Sequence, residues 1–76
     1  MTRSEAREAA LYRAWMAVPE ATDLRVARTE RRGPVTIVRV EGQAGLEILT
    51  LQVTVARDRS GHIWGKIDRE VRAERR

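Results

Sequence analysis

At Pro19 the period of the chain changes, and that change constrains the fold of the 76-residue sequence more than any other feature. Before it, "TRSEAREAALYRAWMAV" is filled with alanine, leucine and glutamate, residues that lose little on entering a helix. Thr2 and Glu5 have the spacing of a capping box. Leu11, Trp15 and Val18 fall on one line at a period of 3.6, flanked by Ala14 on one side and by Tyr12 and Met16 on the other. A helix over 2–18 is expected, with that line against the core and Pro19 as its stop. From Thr22 onward the period is 2: Leu24 and Val26 alternate with Arg25 and Ala27, "PVTIVRVE" is rich in β-branched residues, and "LEILTLQVTVAR" places Leu49, Leu51, Val53 and Val55 on one side.

Three turn signals, "RRGP", "GQAG" and "DRSG", divide this second part into strands over 22–30, 35–41, 46–57 and 62–67. The expected fold is α+β: an N-terminal helix packed on one face of a four-stranded antiparallel meander, within a single small domain. The tail 68–76 is read as a docked turn, a short helix capped by Asp68, or a frayed basic end, because a helix with Val71 as its one sizeable apolar residue is marginal.

Residues directly opposed on adjacent strands share a face, so register can be tested by asking whether it brings apolar partners together. A three-residue loop after Asp58, with Gly61 in the left-handed region, opposes Arg57 with Ile63, Val55 with Gly65 and Ala56 with Trp64. A similar loop at Gly33 sets Val26 against Val38. A four-residue loop over 42–45 sets Val38 against Leu49. All three place Leu24, Val26, Val38, Val40, Leu49, Leu51, Val53, Val55, Ile63 and Ile67 on the helix side. Trp64 then points away from the helix. A four-residue last loop would turn it inward.

The composition narrows the function classes. Fifteen basic residues stand against eleven acidic ones, a formal charge of +4, and fourteen of the fifteen are arginine. Arginine makes bidentate contacts to phosphate and carboxylate, so such a surface suits nucleic acid or an acidic protein; a GC-rich genome would give the same bias with no functional demand. The absence of cysteine removes disulfides and thiolate metal sites. No apolar run approaches the ~20 residues of a membrane span, and charges interrupt any leader-like segment at the N-terminus, so a cytoplasmic location is expected.

No motif specifies a chemistry. "GHIWGK" is one residue short of a phosphate-binding loop and lies in a hairpin rather than before a helix. His62 is the sole histidine, which leaves a metal site without an obvious ligand set. Asp58, Ser60 and His62 are neighbours, but a tight turn supplies no oxyanion hole. Catalytic residues, metal, cofactor and small-molecule substrate are therefore not expected, and the chain is read as a non-enzymatic module.

The outward face of the sheet is the expected binding surface, with Trp64, Arg25, Arg39, Lys66, Ile37, Ile48, Thr50 and Gln52 as its contact residues. Tryptophan and arginine are the residues most enriched at interface hot spots, so the leading partner is another protein or a second copy of the chain. The alternative is single-stranded nucleic acid, with cations on phosphates and Trp64 stacked on a base. The element order is similar to that of the double-stranded RNA-binding domain, but the fourth strand is extra and no lysine-rich second helix follows. In size and plainness the chain resembles phage and plasmid accessory or inhibitor proteins, a likeness that covers no motif and confers no residue.

Overall fold

The computed structural model describes residues 1–74 and orders them as helix α1 (Arg3–Ala17) followed by strands β1 (Thr22–Arg32), β2 (Val35–Ala44), β3 (Glu47–Arg57) and β4 (Ile63–Glu74). The sheet is antiparallel throughout, in the order β1-β2-β3-β4, so it is a four-stranded meander with α1 on one face. Helix α1 begins at the expected capping box. Thr2 Oγ1 accepts from the Glu5 N–H at 3.1 Å and Glu5 Oε1 accepts from the Thr2 N–H at 2.8 Å, so two donors without helical partners are satisfied. At the other end the Val18 N–H donates to Ala14 O at 3.0 Å, and Pro19 follows.

The helix does not bury the line expected of it. Its buried residues are Ala6, Ala10 and Ala14, continued by Val18 at the cap, each four positions from the last. Leu11 is half-buried, whereas Trp15 is 60 % exposed, Tyr12 57 % and Met16 50 %. The cause lies across the interface. The inner face of the sheet already carries Val38, Val40, Leu49, Leu51, Val53 and Val55, all fully buried. Large side chains on one wall and small ones on the facing wall interdigitate at native density. Alanine lets the helix axis come close, and each buried Leu or Val contributes about 1.5–3 kcal/mol.

The last hairpin has the expected register: Val53 pairs with Ile67, Thr54 with Lys66, Val55 with Gly65, Ala56 with Trp64 and Arg57 with Ile63. Gly61 takes φ 89, and its N–H donates to Asp58 O at 3.0 Å. Trp64 therefore faces away from α1. The other two loops are shorter than expected. Arg32 pairs with Val35 and Ala44 with Glu47, leaving two-residue loops Gly33–Pro34 and Gly45–Leu46. In each the first residue has positive φ, 58 and 63 respectively, and the second does not, the sign sequence of a type II′ turn. Val38 consequently pairs with Val53 rather than Leu49, and Val26 with Val40 rather than Val38. Both displacements are even, so Val26, Val38 and Leu49 stay on the helix side; beyond the shift between Val26 and Arg28 the two sides of β1 exchange, and Arg28 and Glu30 point outward. In β1 the register shifts between Thr22 and Arg25 and between Val26 and Arg28. The second shift brings Val26 and Thr29 to the same face as Val40 and Val38.

The expectation of a turn, helix or frayed end over 68–76 is overturned for residues 68–74. They continue β4, pairing Arg69 with Gln52, Val71 with Thr50, Arg72 with Leu49 and Glu74 with Glu47 after a register shift at Asp68. No C-terminal helix forms among the described residues, and Arg75 and Arg76 lie outside them. A strand as long as β3 would otherwise expose half its backbone along one edge, and pairing satisfies those groups. On the helix side Arg72 closes the end of the core, 3.0 Å from Glu70, 3.6 Å from Glu20 and 3.8 Å from Glu47. Its charged form is favoured chiefly by the hydrogen bond it donates to Glu70.

Candidate functional site: the outer face of the sheet

Composing the three registers gives the outer face as a lattice of cross-strand rows. From the β3–β4 turn towards the other end they read Arg32, Val35, Ala56, Trp64; then Glu30, Ile37, Thr54, Lys66; then Arg28, Arg39, Gln52, Arg69; then Arg25, Glu41, Thr50, Val71; then Thr22, Gln43, Ile48, Ala73. All eight residues singled out from the sequence lie on this face. They do not form one patch. Trp64, Lys66 and Ile37 cluster at the turn end, whereas Arg25, Thr50 and Ile48 occupy the other. Arg39 and Gln52 sit in the row between.

The turn-end cluster is apolar at its centre. Ala56 is 6 % exposed although no helix covers this face, and its lateral neighbours are Val35 and Trp64, the latter 39 % exposed. The far end carries Ile48 and Val71, both exposed. The middle row is cationic: Arg28 and Arg39 are adjacent, about 5 Å apart across the ladder, and Arg69 lies two strands further, about 10 Å on. Between Arg39 and Arg69 lies a hollow of about 320 Å³, lined also by Thr50 and Gln52 and closed at one corner by Val71.

Six cations, Arg25, Arg28, Arg32, Arg39, Lys66 and Arg69, share this face with the carboxylates Glu30, Glu41 and Asp68. Arg32 lies 3.4 Å from Glu30 and Arg39 lies 3.6 Å from Glu41. Such exposed pairs contribute about 0–1 kcal/mol and are easily exchanged for another anion. Asp68 accepts a hydrogen bond from the Thr54 hydroxyl. Arg25, Arg28, Lys66 and Arg69 have no carboxylate at ion-pair distance among the described residues. Arg28 and Arg69, which complete the middle row, were not among the residues singled out. For Arg69 the missed signal was the length of β3, which calls for an equally long neighbour.

The turn that holds Asp58, Ser60 and His62 is clasped rather than poised for chemistry. Asp58 Oδ1 accepts from the Ser60 N–H at 2.9 Å, the Ser60 hydroxyl at 2.6 Å and the His62 N–H at 2.9 Å. The hydroxyl bond, followed by the His62 N–H, holds the Asp58 carboxyl below the ordinary aspartate value. The carboxylate thus engages the backbone of His62, where a triad would need its ring. No cluster of histidine and carboxylate side chains among the described residues has metal-ligand geometry, and no described helix is long and apolar enough to cross a membrane. The protein is a small α+β domain without recognisable active-site features. No protein-family model matches the chain, and no curated protein or solved structure shows significant similarity to it.

Proposed function

We propose that the protein is a non-enzymatic, cytoplasmic binding module that uses the outer face of its sheet to hold an acidic surface of another protein. The observation that carries this reading is the middle row, Arg28, Arg39 and Arg69, which crosses an uncovered sheet between two apolar ends. Anionic groups of a partner would sit over the row, and the clusters around Trp64 and around Ile48 and Val71 would bury apolar contacts on either side. Buried aromatic and arginine anchors carry most of the energy in such interfaces. Face-to-face pairing of two copies about the centre of the sheet is disfavoured, because it lays one arginine row on the other. An accessory protein of phage or plasmid type fits this reading, since such a protein acts by occupying part of a larger one.

Nucleic acid is the second reading, supported by Trp64 and Lys66 standing side by side on a cationic sheet. Phosphate contacts release counterions, so its affinity would fall steeply with salt. The test is a photo-crosslinking amino acid at Gln52, in the middle of the face, compared with one at Arg7 on the helix, in cells. The expected result is a protein adduct from position 52 alone, lost in the Arg28→Glu/Arg69→Glu variant. A labelled single-stranded oligonucleotide that binds wild type but not that variant, with no protein adduct, would replace the leading reading by the second. Neither adduct nor oligonucleotide binding would remove both.

A further inference from the structure

The two edges of the sheet differ. The β1 edge is broken by two register shifts and carries Arg25, Arg28, Arg31 and Arg32. Irregularity and charge of that kind prevent an edge from pairing. The β4 edge is regular from Ile63 to Ile67. Its backbone phase follows from the turn. The Asp58 N–H donates to His62 O at 2.9 Å, so residues 58 and 62 form a hydrogen-bonded pair. Bonded and non-bonded pairs alternate along an antiparallel ladder. Trp64 and Lys66 therefore bond to β3, and the N–H and C=O groups of Ile63, Gly65 and Ile67 point out of the sheet.

Helix α1 leaves that edge open. Between them runs a groove of about 840 Å³ lined by Glu5, Glu8, Leu11, Tyr12 and Arg13 on one side and by residues 62–65 on the other. Beyond the groove the exposed rings of Tyr12 and Trp15 lie 6.4 Å apart. The result is a groove beside an unpaired strand, with Leu11, Tyr12, Ile63 and Trp64 as its apolar part and Glu5, Glu8 and Arg13 among its walls.

We infer that the β4 edge pairs antiparallel with the β4 edge of a second copy, about a two-fold axis at Gly65, to make one eight-stranded sheet. The register is fixed by the strand itself. With Gly65 on the axis, Ile63 meets Ile67 of the second copy on the helix side, Trp64 meets Lys66 of the second copy on the outer face, and His62 meets Asp68 of the second copy. Apolar meets apolar, an ammonium meets an indole ring, and an imidazole meets a carboxylate. An axis at Trp64 would pair Lys66 with His62, and one at Lys66 would set two ammonium groups together. Either would also use three of the five regular residues. The Gly65 register uses all five and joins the two grooves, so that Tyr12 of each copy is turned into a shared cleft. This dimer is independent of the partner proposed above, and it places two arginine rows on one continuous outer face.

The test is the solution mass by light scattering, at low and high salt, with an engineered crosslink. Wild type is expected at twice the mass of one chain in both salts. Ile63→Pro removes an outward-pointing N–H that the protomer does not use, an edge position where proline is tolerated, and is expected to be monomeric. If that variant fails to fold, a second one decides. The chain has no cysteine, and residues 64 and 66 of the two copies would form a non-bonded pair about 4.5 Å apart at Cα, within disulfide reach. Trp64→Cys/Lys66→Cys is expected to give a covalent dimer at least tenfold faster than either single variant. A monomeric wild type, or single variants that crosslink as fast as the double one, would overturn the inference. Loss of oligonucleotide or protein binding with the dimer intact would count against the proposed function alone.

Discussion

Gly42→Ala is the sharpest test of how this sheet is assembled. The glycine belongs to a sequence that reads as a turn, yet it lies inside β2, buried on the helix side and paired with Leu49. A Cβ added there would stand 2.8 Å from Leu24 Cδ2 and 3.0 Å from the carbonyl oxygen of Thr22. Carbon atoms in contact prefer about 3.5–4.0 Å, so the deficit is more than half an ångström on the first contact. The Leu24 methyl can move; the Thr22 carbonyl, next to the register shift that begins β1, can move only with the backbone. Overpacking of this kind costs about 1–3 kcal/mol, and the stiffer unfolded chain of alanine returns about 0.4–1 kcal/mol. A net loss of about 1–2 kcal/mol lowers the melting temperature by roughly 5–15 °C in a domain of this size. The assay is thermal and urea unfolding of Gly42→Ala, Leu24→Ala and the double variant. Because Leu24→Ala deletes the nearer obstacle, Gly42→Ala should cost less in that background, by about 0.5–1 kcal/mol of coupling. A Gly42→Ala protein as stable as wild type would refute the close approach of β1 to β2, and additive losses would show that Leu24 is not the group in the way.

Two further outcomes follow from the core and the turns. Leu51→Ala should cost about 2–5 kcal/mol as a buried cavity, whereas Trp15→Ala should stay within about 0.5 kcal/mol as a surface change; denaturant midpoints would check both, and a large loss at Trp15 would mean that the alanine line is not the packed one. Acid should loosen the caps. The Glu5 carboxyl is lowered chiefly by the Thr2 N–H and that of Asp58 chiefly by the Ser60 hydroxyl. Depressed carboxyls bind fewer protons folded than unfolded, so their contribution is complete above the ordinary carboxylate range, about pH 4, and is lost as pH falls through the lowered folded values. Asp58→Asn should flatten the acid limb of a urea-midpoint profile, and an unchanged slope would count against the clasp.

The element order and the sidedness of the strands were legible in the chain because both are local. Period 3.6 before Pro19 and period 2 after it decide helix and strand within a few residues, and Thr2 with Glu5 marks where the helix starts. Asp58 to Gly61 favour a three-residue loop by their own chemistry over the four-residue one that would turn Trp64 inward, and the structure has the favoured register. The two loops shorter than expected still left the side chains of β2 and β3 on their expected faces, since an even displacement cannot exchange the faces of a strand. The bulge between Val26 and Arg28 in β1 does exchange them and turns Arg28 and Glu30 outward. The candidate face was legible to the same extent: its eight residues share one side, although their division into two clusters was not visible.

Tertiary structure decided what depends on the space between elements. Trp15 loses its expected place to Ala6, Ala10 and Ala14, whose small side chains face the valines and leucines of the sheet, and no periodicity reports the volume of the opposite wall. Gly42 is a close-approach residue because β1 crosses it, a fact held by Thr22 and Leu24, eighteen or more positions away. Residues 68–74 form a strand because β3 offers them a ladder, against a local sequence that favours neither strand nor core. The arginine row exists for the same reason: Arg28, Arg39 and Arg69 are distant in the chain, and three strand registers, each set by a turn or a bulge, bring them into line.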